Sequence, residues 1–248
     1  MATKKSVPSI GAKWVSVTDL RLAVTRARDN REQQVKLLAH LNGQVQRRRD
    51  EVERTLADVP SIQRDGLVNR AVSTFRAQAK RDSADARTAR VREAGVIANV
   101  AARAKQHYQS PVQMLAREGL GSERRSRIMQ QIEHSGPTEL ASLASLAAST
   151  GDREMGAALV SRVNRLDPAD RPFSPHALAD ALVGAEHRDV TAAILEVERL
   201  AEEAAHADTA FETGRASSVR TIQAAIMRRE QAAVGADLDA FVKEEEEN

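Results

Sequence analysis

The sequence predicts an all-α protein, and three observations support this fold class. Long runs repeat their apolar positions at helical spacing, whereas the alternation typical of β-strands is scarce. These runs are dominated by Ala, Arg, Glu, Gln and Leu, and Gly and Pro fall mostly between them. Only six of the 248 residues are aromatic. The core must therefore consist mainly of small and aliphatic side chains between closely packed helices, and an elongated shape is expected.

The first segment, residues 1–16, is expected to form an extended N-terminal arm. It contains Pro8 and Gly11 and lacks sustained periodicity. Trp14 is the only large apolar anchor in this arm and is therefore a candidate interface residue.

Residues 17–109 predict a basic antiparallel helical hairpin. The first helix is expected to begin near Thr18, a candidate N-cap, and to end before Pro60. The second begins at Ser61 and ends before Pro111. A tight turn between runs of similar length favours antiparallel helices of about 60 Å at ~1.5 Å per residue. With paired residue numbers summing to about 121, three ion pairs are expected: Arg28 with Glu93, Asp29 with Arg92, and Lys36 with Asp85.

The first helix carries a heptad pattern that is apolar at both ends and polar near its middle. One set of seam positions is Val17, Val24, Arg31, Leu38, Val45, Val52 and Val59, and the other is Leu20, Ala27, Gln34, Leu41, Arg48 and Thr55. In this register Arg48 lies on the seam, where arginine usually pairs across an interface or extends to solvent, so it is a candidate interface residue. Arg47 and Arg49 flank it.

Residues 110–166 predict a bundle of short helices. Their starts carry capping signals at Ser110, Ser122 and Asp152, and Pro137 lies in a first turn. The predicted helices are Ser110–Glu118, Ser122–His134, Pro137–Ser149 and Asp152–Leu166. The expected core residues are Met114, Leu115, Ile128, Ile132, Leu140, Leu143, Leu146, Leu159 and Val163.

The C-terminal part is predicted to be a proline-rich linker, a long acidic helix and a short tail. The linker covers residues 167–175, with three prolines, and the helix covers residues 176–242. Gly184 and Gly214 are the positions where this helix is expected to bend or break. The helix also carries Phe211, a further candidate interface residue. Residues 243–248 form an acidic tail.

The formal charge of +2 conceals a strong asymmetry along the chain. Residues 1–110 hold 22 basic and 11 acidic side chains, and residues 111–248 hold 15 and 24. This asymmetry favours either pairing between basic and acidic parts of the chain or a basic half that faces an acidic partner. Arginine outnumbers lysine by 30 to 7, and its planar fork suits carboxylate and phosphate alike. A GC-rich genome produces the same bias without any function.

No motif for catalysis, metal binding or cofactor binding is present, so the sequence predicts a non-enzymatic protein without cofactors. There is no cysteine, and the six histidines lie on different predicted segments. The chain begins without a signal-peptide pattern and contains no run of ~20 apolar residues. We therefore expect a protein that is not exported by a signal peptide and does not span a membrane.

Basic side chains of the hairpin are candidate contacts to phosphate or to an acidic partner. They are Arg47, Arg49, Arg54, Arg76, Lys80 and Arg81. Aromatic platforms for single strands and a helix-turn-helix are missing, so nucleic-acid binding would be non-specific. The alternative, which charge complementarity favours, is that the basic hairpin meets the acidic C-terminal helix of the same or another copy.

The sequence is rich in Ala and Arg, poor in aromatic residues and free of cysteine, as in the segments "NGQVQRRRDEVERTLADV" and "ASLASLAAST". In composition and architecture the whole chain resembles helical structural proteins of tailed bacteriophage particles, of the internal, ejection or scaffold type. The resemblance implies a homo-oligomeric assembly role in the virion or the bacterial cytoplasm, with other virion proteins and DNA as further partners. It identifies no functional residue. The alternatives are a cellular coiled-coil adaptor or assembly factor, and a non-specific nucleic-acid-binding protein.

Overall fold

The structure is a computed structural model that describes residues 14–215 and 217–243. These residues form α-helices joined by turns and contain no β-strand, which confirms the all-α class. The helices are α1 (Val17–Thr55), α2 (Ser61–Asp82), α3 (Ala84–His107), α4 (Pro111–Leu115), α5 (Glu123–Gln131), α6 (Pro137–Thr150), α7 (Arg153–Val163), α8 (Pro175–Thr213), α9 (Ser218–Val234) and α10 (Leu238–Lys243). A 3-10 helix, Pro168–Asp170, lies in the predicted linker. Most of the predicted arm and tail, residues 1–13 and 244–248, lies outside the described residues.

The chain divides into two compact units, each built from segments that are distant in sequence. The bundle unit contains the described parts of Met1–Arg21, Ala102–Ile194 and Val234–Asn248. The hairpin unit contains Leu22–Ala101 and the described part of Leu195–Ala233. The predicted segments were contiguous and so differ from these units. Helical periodicity reveals where a helix lies but not which distant segment packs against it.

Local capping signals explain how the helices of the bundle unit begin. The side chains of Ser110, Ser122 and Asp152 each accept a hydrogen bond from the backbone N–H three residues later, at 3.3, 3.1 and 3.0 Å. These bonds satisfy N–H groups that have no partner within the helix. Pro137 occupies the first turn of α6, as expected.

The core of the bundle unit contains seven of the nine expected residues, together with small side chains that were not expected. The seven are Met114, Leu115, Ile128, Ile132, Leu140, Leu159 and Val163. Leu146 was an expected core residue but is 48% exposed, and α6 instead buries Ala144 and Ala147. On α7, Gly156 lets the side chain of Leu182 lie close to the helix backbone, because an added Cβ would be 2.2 Å from a methyl carbon of Leu182. Small residues at these contacts allow helix backbones to approach closely, which displaces larger neighbours to the surface.

The hairpin unit pairs α1 antiparallel to α2 and α3. The Asn30 amide donates to the Arg90 carbonyl at 3.1 Å, and Arg49 donates to Asn69 at 3.1 Å. An ion pair joins Arg26 to Glu93. These contacts join residues whose numbers sum to between 118 and 120, so the register differs slightly from the predicted one.

Two of the expected cross-hairpin pairs are replaced by others. Arg28 pairs with Glu196 of α8, at 3.4 Å, rather than with Glu93. Lys36 pairs with Glu32 on its own helix rather than with Asp85. The shift in register and the presence of α8 change which carboxylate is nearest to each cation.

The starts and breaks of α1 to α3 also differ from the prediction. The cap of α1 is Ser16 rather than Thr18: its hydroxyl accepts the Asp19 N–H, and the Asp19 carboxylate accepts the Ser16 N–H, both at 3.0 Å. This is the reciprocal arrangement of a capping box. The predicted second helix is interrupted at Ser83, whose hydroxyl donates to the Ala79 carbonyl at 2.7 Å. Side chains that enter the backbone ladder in this way bend or break helices.

The predicted long C-terminal helix is divided at glycine. Gly184 lies inside α8 without breaking it, whereas Gly214 follows the end of α8 with a φ of +73°. Its N–H donates to the Ala210 carbonyl at 2.9 Å. A side chain would be strained in this left-handed conformation, so glycine makes the sharp end of α8 possible.

Candidate interaction surface

Arg87, on α3, is the only buried Lys or Arg among the described residues of the hairpin unit. It is 5% exposed and donates to the carboxylates of Asp208 and Glu212 on α8, both at 2.7 Å. Its guanidinium also lies 5.0 Å from the ring centroid of Phe211. Phe211 itself is 5% exposed, so it is a core residue of its own chain and not the interface residue that the sequence suggested. The ring lies over the guanidinium, whereas the carboxylates of Asp208 and Glu212 remain 24% and 53% exposed.

A second buried charge cluster centres on Glu203 of α8. Its carboxylate accepts from Arg199 and Arg228, both at 2.8 Å, and lies 3.5 Å from Arg31 of α1. Burial alone would raise the pKa of Glu203, but the hydrogen bonds from Arg228 and Arg199 outweigh burial, and the pKa lies below its ordinary value. The carboxylate is therefore ionised and holds α1, α8 and α9 together.

The polar middle of the α1 seam is explained by α8. Gln34 is fully buried, and its amide donates to the Ala204 carbonyl at 2.7 Å. Arg31, at the neighbouring seam position, contacts Glu203. The basic hairpin thus meets the acidic helix within one chain, which is the first of the two arrangements that charge complementarity allowed.

Two of the candidate contacts to phosphate are also directed towards the end of α8. Lys80 donates to the backbone carbonyl of Glu212, and the guanidinium of Arg76 lies beside Gly214. Arg81 is exposed and bonds to Gln78 on its own helix, at 2.8 Å. Lys80 and Arg76 therefore belong to the contact between the hairpin and α8.

Beyond the region that α8 covers, an open groove runs between α1 and α2. It has a volume of about 1780 Å³. Its apolar lining includes Leu37 and Leu41 of α1 and Leu67 and Phe75 of α2. Leu37 and Phe75 are only half-buried, so part of this lining is available to another molecule.

The rim of the groove carries charges of both signs. Arg47, Arg48, Arg54 and Arg70 supply cations, and the acidic side chains are Asp50, Glu51 and Asp82. Arg48 is exposed and pairs with Glu51 one turn along its own helix, at 2.7 Å, so it does not pair across the seam. Arg54 donates to the Asp50 carbonyl at 3.1 Å. Arg49, which does not line the groove, is the member of the triplet that reaches α2, through Asn69.

Helix α9 exposes three large aliphatic side chains on one face. Val219, Ile222 and Ile226 are 66%, 60% and 51% exposed. Their spacing of three and four residues places them in a single stripe. The other side of α9 faces α8, where Arg228 contacts Glu203 and Gln231 accepts from Arg199 at 2.9 Å. The sequence showed the helical periodicity of α9 but gave no signal for which face is covered.

Trp14 is anchored on its own chain in the bundle unit. Its ring lies 4.4 Å from the His107 ring and 5.2 Å from the Tyr108 ring, and the Arg117 guanidinium lies 4.1 Å from it. Tyr108 donates to the Val15 carbonyl at 3.0 Å, and burial raises the pKa of Tyr108 to about 12. The candidate interface role of Trp14 thus concerns only the 39% of its surface that stays exposed.

Within residues 14–215 and 217–243, no group of three or more His, Asp or Glu side chains is arranged to hold a metal ion. No helix in this part of the chain has the length and hydropathy needed to cross a membrane. Comparisons with protein-family models, curated proteins and solved structures gave no match.

Proposed function

We propose that this chain is a non-enzymatic structural or assembly protein that acts through self-association. The exposed stripe of α9 carries the proposal. Burying a large aliphatic side chain contributes about 1.5–3 kcal/mol relative to leaving it in water. Three such side chains on one helix face therefore favour a protein partner.

We assign the assembly to a bacteriophage virion, as an internal, ejection or scaffold-type component. This part of the proposal is supported by the resemblance in composition and architecture, and the open groove and the exposed stripe of α9 suit repeated association. A ring of defined copy number, seen by electron microscopy of the purified protein, would support the particle setting over a cellular adaptor.

Self-association is tested by measuring the mass of the purified full chain by sedimentation at several protein and salt concentrations. We expect masses above the 27.0 kDa of one chain, rising with protein concentration. Ile222→Asp should lower the mass towards one chain, whereas Thr221→Asp, one residue away and also exposed, should not. A mass equal to that of one chain at every protein and salt concentration would contradict the proposal.

Non-specific nucleic-acid binding is the second candidate, because the exposed arginines of the hairpin lie close together along α1. A gel shift at increasing salt tests it with Arg47, Arg48 and Arg49 all changed to Glu. Loss of a salt-dependent shift would support nucleic-acid binding, and an unchanged shift would remove these residues from it. Arg127→Glu, at an exposed position of the bundle unit outside the candidate contacts, is the control for general charge.

A further inference from the structure

We propose that the groove between α1 and α2 binds the α9 stripe of a second copy of this chain. This proposal rests on the proposed self-association and names the two surfaces that carry it. A single helix that lays its apolar face between two others is a common mode of recognition. Both surfaces are open on the same chain, so neither has to be uncovered first.

The stripe matches in length one part of the apolar lining of the groove, the part between Leu37 and Phe75, and Leu67 lies beyond it. Leu37 lies opposite Asp82, and Phe75 lies opposite Gln44. Leu37 and Phe75 are therefore seven residues apart along the groove, which is about 10.5 Å. Val219 and Ile226 are also seven residues apart, so the stripe is about 10.5 Å long as well. The stripe can therefore cover the exposed parts of Leu37 and Phe75 along its whole length.

The charges favour an orientation in which the incoming α9 runs parallel to α1. Arg229 and Glu230 follow the stripe by one turn. In this orientation Glu230 would reach Arg47 on the rim, and Arg229 would reach Glu51. The N-terminus of α9 would lie near Asp82, and a carboxylate is favourable at a helix N-terminus. An antiparallel α9 would place the N-terminal end of the stripe about 10.5 Å away from the level of Asp82.

The partner is a second copy because each chain holds its own α9 against α8. Arg228 and Gln231 of α9 contact Glu203 and Arg199, on the side of α9 away from the stripe. Binding in the groove of another chain leaves these contacts intact. Two different surfaces then meet, so the contact repeats from copy to copy and builds a ring or a filament.

A single contact of this kind is small. A helix of 17 residues is about 25 Å long and about 10 Å wide, which gives a footprint of about 250 Å². Stable interfaces cover about 800 Å² on each partner. One contact is therefore weak, and closure of a ring would add stability because the last contact is intramolecular. The test must capture a weak contact.

The absence of cysteine from the sequence permits a direct test with two single-cysteine variants. Thr74→Cys places a thiol in the groove, and Ile226→Cys places one on the stripe at the matching level. The two full-length proteins, one carrying a mass tag, are mixed and oxidised. We expect a disulfide between unlike copies at least fivefold above that of two matched controls, Ser73→Cys with Ile226→Cys and Thr74→Cys with Ala225→Cys. Ser73 and Ala225 are exposed and adjacent but lie off the two surfaces.

The outcomes separate this inference from the proposed function. Disulfide yields equal to those of the controls, with a mass above one chain, would overturn the groove and stripe contact but leave self-association intact. A strict monomer by sedimentation would contradict both. A Thr74→Cys/Ile226→Cys double variant that closes its disulfide within one chain at high dilution would show that the occupant is the chain's own α9 and would also overturn the proposal. Circular dichroism of each variant confirms that it is folded.

Discussion

The basic hairpin has an inner part, which packs against α8, and an outer part, where the groove between α1 and α2 lies open. Both parts are rich in arginine, but the arginines have different partners. In the inner part, Arg87 and Arg31 contact carboxylates of α8 and hold the hairpin unit together. In the outer part, Arg47, Arg48 and Arg54 line an open groove, and the contacts of Arg48 and Arg54 are on their own helix.

The difference comes from where the acidic helix ends. Helix α8 supplies Glu203, Asp208 and Glu212 along the inner part and then stops at Gly214. Beyond that point the hairpin has no acidic neighbour from α8. An arginine is therefore structural where a carboxylate is placed against it and remains available for a partner where none is placed.

The largest expected effect follows removal of the most buried cation. Arg87→Leu removes the charge-assisted hydrogen bonds to Asp208 and Glu212, and a bond of this kind contributes about 1.5–3 kcal/mol. We expect a loss of about 3 kcal/mol in the free energy of unfolding, measured with urea, which is the low end for two such bonds because both carboxylates are partly exposed. Arg81→Leu, on an exposed position nearby, should cost less than about 0.5 kcal/mol. Equal losses for the two variants would contradict the comparison.

The second prediction concerns the carboxylate that joins three helices. Glu203→Gln keeps the shape of the side chain but removes the charge that Arg199, Arg228 and Arg31 share. We expect a loss of about 2 kcal/mol, since bonds between charged groups are worth about 1.5–3 kcal/mol. Glu202→Gln, at the exposed neighbouring position, is the control, and urea unfolding of both variants is the measurement.

The third prediction concerns how the stabilisation of the fold by the Glu203 carboxylate depends on pH. The pKa of Glu203 is lowered in the folded chain, so its contribution is complete above the ordinary glutamate pKa of about 4.3 and is lost as the pH falls through the lower folded value. The stability difference between the natural chain and Glu203→Gln should thus be constant from pH 7 to about pH 5 and shrink towards pH 3. Urea midpoints at each pH measure it, and a difference that grows on acidification would exclude this role.

The smallest expected effect lies in the outer part. Arg48 is exposed and pairs only with Glu51 on its own helix, and such pairs contribute about 0.3–0.5 kcal/mol. Arg48→Gln should therefore change the free energy of unfolding by no more than about 0.5 kcal/mol. A loss close to that of Arg87→Leu would show that Arg48 supports the fold, as its seam position had suggested.

Sequence reasoning succeeded where the cause of a structure is local. The caps at Ser110, Ser122 and Asp152 involve a side chain and a backbone N–H three residues away, so they can be recognised without knowing the fold. The break at Gly214 could be predicted for the same reason, because glycine adopts the left-handed backbone conformation without support from distant residues. The interruption at Ser83 was missed because it depends on how one hydroxyl is oriented.

The sequence by itself determined the all-α class, three caps of the bundle unit, and a basic and an acidic half of the chain, since helical periodicity, capping and charge are properties of neighbouring residues. Only the tertiary structure decided that Phe211 lies beneath Arg87, that Arg48 faces solvent, and that α9 leaves Val219, Ile222 and Ile226 uncovered. These outcomes depend on which distant segment lies against each helix face. Two arginines with the same local pattern therefore receive different roles when only one of them lies opposite a carboxylate.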